Sequence, residues 1–286
     1  MMIMMMKTTH RTTREALHAL VHELKLKGME RVLDSELERA ERNGAPATEF
    51  VQRLLSEQAS FERERSLACR VVQARLPWQW TIDTFPFDKQ SGVNKAQILG
   101  LADLEFVRRA HNLVLIGGPG TGKTGIALGL LRQACMNGWR GRFYNAQTLL
   151  DELYASLADR TTTRLMKSLS RLPVLAIDEL GYLNLKPEQA NAFFRLMDQR
   201  YGRASTIITT NLEFDRWYEL FDNKQMVDAL LDRLKHHCVT IRINGPSLRA
   251  PDPDGEAHAT PPTPASPKPN PSPRRKAHGA APAGTA

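Results

Sequence analysis

Apolar positions recur with a helical period over the first quarter of the chain, and beyond it they gather into short runs separated by further helical stretches. From Thr8 to about Leu76, Leu17, Leu20, Val21 and Leu24 repeat at i, i+3, i+4 and i+7, which predicts a helix with one apolar stripe. Gly28 and the Asn43–Gly44–Ala45–Pro46 stretch punctuate this region. Thr48 is the expected N-cap of a further helix. That helix carries Phe50, Val51, Leu54 and Leu55 inward and runs through Arg63, Arg65 and Arg70 to Arg75, before Pro77. A small helical domain with a basic exposed side, suited to DNA or a partner protein, is expected over residues 1–76.

Residues 77–112 form a linker and the entry to a core, with Trp78, Trp80, Phe85 and Phe87 set among polar residues around Pro77 and Pro86. These aromatics are read as packing against the core in preference to stacking on bases. Leu113–Ile116, Gly141–Asn145, Val174–Ile177, Thr206–Thr210 and Val239–Ile243 read as buried strands. The segments between them have helical spacing, as in Ala190, Phe193, Phe194, Met197 and Tyr201. Strands alternating with helices imply an α/β domain, here over residues 113–245, with a parallel sheet covered on both faces. Residues 246–286 hold 11 of the 17 prolines, with the basic trio Arg274, Arg275 and Lys276. Such a segment buries too little apolar surface to offset its ordering entropy, so a disordered tail is expected.

The formal charge of +8 favours a polyanionic partner, nucleic acid or anionic membrane. Cys69, Cys135 and Cys238 lie far apart, with no metal-site spacing, and read as idle thiols of a reducing cytoplasm. The opening MMIMMMK is too short for a signal-peptide core, and no apolar run approaches the roughly 20 residues needed to span a bilayer. A cytosolic protein without membrane contact is expected.

Gly117-Gly118-Pro119-Gly120-Thr121-Gly122-Lys123-Thr124 matches GxxxxGK[ST], led in by the strand Leu113–Ile116 and led out by the apolar helix Ile126–Met136. Glycines let backbone N–H groups converge on phosphate oxygens, and the helix start adds its positive dipole end. Lys123 is placed to reach the β- and γ-phosphates of ATP, and the Thr124 hydroxyl to bind Mg²⁺. About 55 residues on, the strand Val174–Ile177 ends in Asp178-Glu179. Asp178 suits the Mg²⁺ shell and Glu179 the polarisation of an attacking water. Asn211 follows another strand, where an amide can donate to the γ-phosphate and accept from that water. An arginine, in an oligomer from the neighbouring subunit, is expected to offset charge on the transferred phosphoryl group. Arg233 is the first choice, with Arg216 and Arg200 as rivals.

Gly117–Thr124, Ile177-Asp178-Glu179-Leu180-Gly181-Tyr182-Leu183, Ser205-Thr206-Ile207-Ile208-Thr209-Thr210-Asn211, Leu230-Leu231-Asp232-Arg233-Leu234 and Gly245-Pro246-Ser247-Leu248-Arg249 occur in this order. Together they resemble a AAA+ ATPase of the DnaC/IstB group, closer to the IstB-like helpers of insertion-sequence transposition, over roughly residues 15–249. The resemblance implies a AAA+ P-loop three-layer sandwich with a central parallel five-stranded sheet, preceded by the helical domain, with ATP at subunit interfaces. It implies Arg233 as the trans-acting finger, part of a sensor role for Arg249, assembly on duplex DNA and a partner transposase of the same element. No helical lid domain fits between Ile243 and the tail. A helicase loader is the near alternative, since the same ATP machinery serves both. A small-molecule kinase and a non-enzymatic DNA-binding module are the other classes weighed. Glu179 and Asn211, positioned for water, favour hydrolysis. DNA contact is expected through phosphates, with little sequence preference.

Overall fold

The computed structural model describes residues 2–249 except 182, 184 and 222, with the backbone alone for residues 2–12. The expected disordered tail lies outside the described residues.

Three helices open the chain: α1 (Met2–Glu23), α2 (Lys27–Asn43) and α3 (Ala47–Gln73). Val21, Leu33 and Leu54 form their small core, flanked by Leu17, Leu26, Met29, Val32, Leu37 and Phe50. The predicted stripes are only half used, since Leu20, Leu24, Val51 and Leu55 remain exposed. The reason is that α2 packs on both α1 and α3, so over this bundle the outer helices bury chiefly the side facing α2. The break marked by Gly28 falls just before it, between Glu23 and Lys27, and Gly28 itself is a contact residue of α2. A Cβ there would lie 2.7 Å from Gln58 Cα and 2.8 Å from Phe61 Cβ, so its bare Cα lets α2 press onto α3. Gln58 Oε1 accepts from the N–H groups of Gly28 (2.8 Å) and Met29 (3.2 Å), two donors that a helix start leaves open. Thr48 is not the cap that the sequence suggests: α3 begins at Ala47 with Pro46 in the N-cap position. Several arginines of this region pair with glutamates, Arg42 with Glu38, Arg53 with Glu49 and Arg65 with Glu62 among them. The exposed side is therefore mixed in charge, with 13 Lys/Arg against 11 Asp/Glu over residues 1–76.

Two short helices, α4 (Lys95–Leu101) and α5 (Glu105–Arg108), lead into the α/β part. There follow β1 (Asn112–Gly117), α6 (Lys123–Met136), β2 (Gly141–Asn145), α7 (Ala146–Ala158), α8 (Thr162–Ser170) and β3 (Val174–Asp178). The last elements are α9 (Pro187–Arg200), β4 (Ser205–Thr210), α10 (Lys224–His236) and β5 (Cys238–Ile243). All five predicted strands are present, each within a residue of its expected bounds. They form one parallel sheet in the order β2-β3-β4-β1-β5.

Strands β1, β3 and β4 are buried at every position, as the sheet is covered on both faces. Alternate residues serve two cores. Val114, Ile116, Leu175, Ile177 and Ile208 meet Leu153, Phe193 and Trp217 on one face. Leu113, Leu115, Val174, Ala176 and Ile207 meet Ile126, Leu130 and the 77–112 segment on the other. That segment supplies Ile82, Phe85, Ile98, Leu104, Phe106 and Val107 to the second core. Phe85, Phe87 and Trp80 thus pack as expected, with Phe87 edge-on to Phe85 at 4.8 Å, whereas Trp78 is exposed. The end of α3 joins the same body. Ala74 O accepts from Phe143 N–H on the edge strand β2 (2.8 Å), and Arg70 Nε donates to Cys135 O at the end of α6 (2.9 Å).

Candidate active site

Because all strands run parallel, their carboxyl ends open on one edge, where crossover loops leave a crevice. β4 lies between β1 and β3, so the loop after β1 and the carboxylates after β3 face each other across the end of β4.

The loop Gly117–Thr124 joins β1 to α6. Gly120 (φ 77°) and Gly122 (φ 89°) take left-handed backbone that favours glycine. A Cβ on Gly122 would also lie 2.7 Å from the Phe85 ring. Lys123 Nζ donates to Gly117 O (2.8 Å) and Gly118 O (2.6 Å), folded across the loop. Burial lowers the pKa of this ammonium; Asp178 and Glu179 oppose the shift, and the charge of Arg249 adds to it. Thr124 Oγ1 donates to both carboxylate oxygens of Asp178, at 2.9 and 3.1 Å.

Asp178 is 6% exposed. Thr209 Oγ1 donates to its Oδ1 at 2.5 Å. Burial still pushes the Asp178 pKa up, against those two hydroxyl bonds. Glu179, the next residue, is exposed and adopts left-handed backbone (φ 61°), uncommon for a residue with a side chain. The turn separates two consecutive carboxylates, one buried on hydroxyls and one facing solvent. Glu179 N–H donates to Thr209 Oγ1 (2.9 Å), and its Oε2 accepts from Asn145 Nδ2 (3.0 Å).

Asn211, directly after β4, is half-buried. Its Oδ1 is buried with no donor among the described residues. A Cβ at Gly181 would meet that oxygen at 2.1 Å, so glycine at 181 makes room for the amide. A buried acceptor without a donor costs about 1–3 kcal/mol, which a water or ligand donor would relieve.

The three arginines considered as fingers separate sharply. Arg200 is 1% exposed and donates to Thr206 Oγ1, Leu169 O, Leu172 O and Ser205 O. Burial lowers its pKa to about 9, so it stays charged at neutral pH, fastening α9 to β4 and unable to reach a neighbouring subunit. Arg216 is exposed and grips Glu219 with two bonds of 2.9 and 2.8 Å. Arg233 is exposed on α10 and pairs with Asp198 at 2.8 Å. It lines a cavity of about 120 Å³ beside Asn112, the first residue of β1. Arg233 therefore sits at the opposite edge of the sheet from its own chain's phosphate loop.

Two residues of this site were given no role by the sequence, although Thr209 lies within the Ser205–Asn211 motif. Thr209 lies inside the β4 run and reads as sheet filling, yet its hydroxyl joins Asp178 to the Glu179 backbone. Asn145 ends β2, pairs in register with Asp178 and also caps α7 through Gln147 N–H (3.0 Å). The available signal was positional, since both sit at carboxyl ends of strands adjoining the Asp-Glu pair.

The donor set fits a nucleoside triphosphate with a hard divalent cation. A glycine loop, a helix start and an ammonium face phosphate, while a hydroxyl and a carboxylate oxygen within 3.1 Å of each other suit Mg²⁺. Over residues 19–253 the sequence matches the family described as IstB-like ATP binding protein. It is 36% identical over 233 residues to the ATP-binding protein of insertion sequence IS21 from Pseudomonas aeruginosa, covering 82% of this chain and 88% of that one. The counterpart in insertion sequence IS5376 of Geobacillus stearothermophilus is 32% identical over 236 residues, covering 82% and 94%. Among solved structures, the DnaC helicase loader superposes with a TM-score of 0.51 at 25% identity, over 59% of this chain and 99% of that one. With a AAA+ sheet, a phosphate loop opposite an Asp-Glu pair and a match across most of its length, the chain belongs to the family of IstB-like ATP-binding proteins.

Proposed function

We propose that the protein is a Mg²⁺-dependent ATPase that assembles on duplex target DNA and delivers or remodels that DNA for a transposase of the same insertion sequence. The observation that carries hydrolysis is the convergence of Lys123, Thr124, Asp178, Glu179 and Asn211 at one sheet edge, with Glu179 free of the buried hydroxyl pair that holds Asp178. The loop amides and Lys123 bind and orient the triphosphate. Thr124 and Asp178 hold Mg²⁺, which when bound neutralises charge on the β- and γ-phosphate oxygens. Glu179 takes a proton from the attacking water, and Asn211 orients that water through its unpaired Oδ1. Arg233, remote from its own loop, is available to the ATP of an adjoining subunit.

The insertion-sequence names of the relatives and the charge of +8 support the DNA and transposase part. A loader of a replicative helicase is the second reading, favoured by the fit to the DnaC helicase loader. The test is ATPase rate with and without duplex DNA, with the mass of the ATP-bound complex and a pull-down against transposase and helicase. Expected are DNA-stimulated turnover, ATP-dependent assembly that Lys123→Ala abolishes, salt-sensitive DNA binding and capture of the transposase. Capture of the helicase alone selects the second reading. Turnover that survives Lys123→Ala removes the ATPase assignment.

A further inference from the structure

A phosphate loop that aims its N–H groups at a ligand turns its carbonyl groups outward, and buried outward carbonyls need donors. Two of them find donors in distant parts of this chain. Gln90, fully buried, donates from Nε2 to Thr121 O (3.0 Å) and to Pro246 O (2.9 Å), while its Oε1 accepts from Gly92 N–H (3.2 Å). Leu248 N–H donates to Gly120 O (2.9 Å). The Leu248 side chain packs with Phe85 over Gly122, where a Cβ would meet the two at 3.1 and 2.7 Å. Glycines clear the space for this clasp. A Cβ on Gly92 would lie 2.5 Å from Asn244 C and Gly245 N, and one on Gly245 would lie 1.6 Å from Gln90 Oε1. One side chain thus binds the loop on one side and the segment after β5 on the other, and that segment carries Arg249.

We propose that Gln90 is a positioning residue of the nucleotide site: its amide locks the outward edge of the phosphate loop to the Gly245–Arg249 strap, so that loop and strap respond to ATP as one body and Arg249 is held at the phosphate end. The strap takes the place of a lid, with Gln90 as its anchor. The inference rests on the ATP-binding reading of Gly117–Thr124. The Arg249 charge already acts on Lys123, which places the two cations in one electrostatic environment.

The experiment is a double-mutant cycle of Gln90→Ala and Arg249→Ala, read as the Kd of a fluorescent ATP analogue and its ADP counterpart with Mg²⁺. Each single change is expected to weaken the ATP analogue about tenfold, the scale of one charge-assisted hydrogen bond, and the ADP analogue much less. In the Gln90→Ala background Arg249→Ala should cost less than about twofold, because the arginine is already adrift. A buried residue that mattered only for packing would give multiplying factors and no preference between ATP and ADP; that result overturns the proposal. If Gln90→Ala does not fold, Gly245→Ala, which displaces the Gln90 amide without removing it, runs through the same cycle. In the unaltered protein, Leu248 N–H should exchange more slowly with deuterium once ATP is bound, and an amide equally open in both states also overturns it. Binding by the unaltered protein that is lost in Lys123→Ala, with Gln90→Ala unaffected, sinks the clasp alone; no binding by the unaltered protein sinks both.

Discussion

Asp178→Asn should make the nucleotide-free protein more stable while abolishing its response to Mg²⁺·ATP. The carboxylate is 6% exposed and receives hydroxyl bonds from Thr124 and Thr209. Removing its charge weakens two bonds that are worth about 1.5–3 kcal/mol each with an ionised acceptor and about 1 with a neutral one. An amide of the same shape still accepts from Thr209 and can donate to the Thr124 oxygen. Against that loss stands the desolvation of a buried carboxylate, several kcal/mol for such a group. Burial is the larger influence on Asp178, since its pKa is raised despite both hydroxyls. The balance is a gain of about 1–2 kcal/mol, or roughly 2–8 °C in Tm for a domain of this size. The pH dependence has a definite sign. A carboxyl whose folded pKa exceeds its unfolded value favours folding while protonated, and that contribution is lost as pH rises through the folded pKa. The advantage of Asp178→Asn should accordingly be full above the folded pKa and vanish below the unfolded value near 3.9. Thermal unfolding in a chelator at pH 7.5, repeated at steps down to pH 5, measures it. Saturating Mg²⁺·ATP should raise the Tm of the unaltered protein, by the equivalent of about 2.7 kcal/mol at a hundredfold excess over Kd, and leave the variant nearly unmoved. An Asn variant that melts below the unaltered protein at pH 7.5 without nucleotide would refute the claim that desolvation dominates.

Three further substitutions test other parts of the site. Asn145→Ser keeps an N-cap for α7 but loses the bond to Glu179, and release of an exposed carboxylate held by about 1 kcal/mol should raise basal phosphate release about fivefold; a fall in rate contradicts this. Glu179→Gln retains the Asn145 bond through its amide oxygen, so ATP binding should stay within about twofold while turnover drops at least about a hundredfold, measured by single-turnover kinetics. Arg200→Ala strips donors from four buried acceptors and should cost about 3–5 kcal/mol in urea unfolding, with Arg200→Lys recovering only part because an ammonium cannot span the four.

The strands and the phosphate loop were legible because their signals are local. A continuous apolar run such as Val174–Ile177 has no other use in a charged chain, and GxxxxGK[ST] between a strand and a helix states its own geometry. The N-terminal stripes misled for the opposite reason. Periodicity tells that Leu20, Val51 and Leu55 lie near a helix face, but how much of the face is covered depends on which helices meet, and here α2 is packed between the other two. Arg200 could not be told from a finger by residue type, since only the tertiary fold shows its side chain sealed against β4 and the end of α8. Thr209, Asn145 and Gln90 carry their roles through contacts made 30 or more residues away in sequence, which no window can hold. Gly28 serves twice, since the break it marks lies just before it and its bare Cα is also a point of close helix approach.

The strand order ties these residues into a single argument about coupling. With β4 between β1 and β3, the end of β4 is the element adjoining both the phosphate loop and the Asp-Glu turn. One hydroxyl there, on Thr209, donates to the carboxylate proposed to hold the metal and accepts from the backbone of the residue proposed to activate water. Two residues on, Asn211 keeps a buried oxygen without a donor among the described residues. Metal, water and phosphate positions are therefore referred to the same strand end, so a register shift of β4 would disturb all three together. On the outer side of the loop, Gln90 and Leu248 hold the carbonyls of Thr121 and Gly120. The proposed nucleotide site is thus held from two sides, by Thr209 under the Asp-Glu turn and by Gln90 and Leu248 behind the loop. Loss of either support should impair discrimination between ATP and ADP before it impairs binding as such, because the roles proposed for Lys123, Glu179 and Asn211 all concern the γ-phosphate.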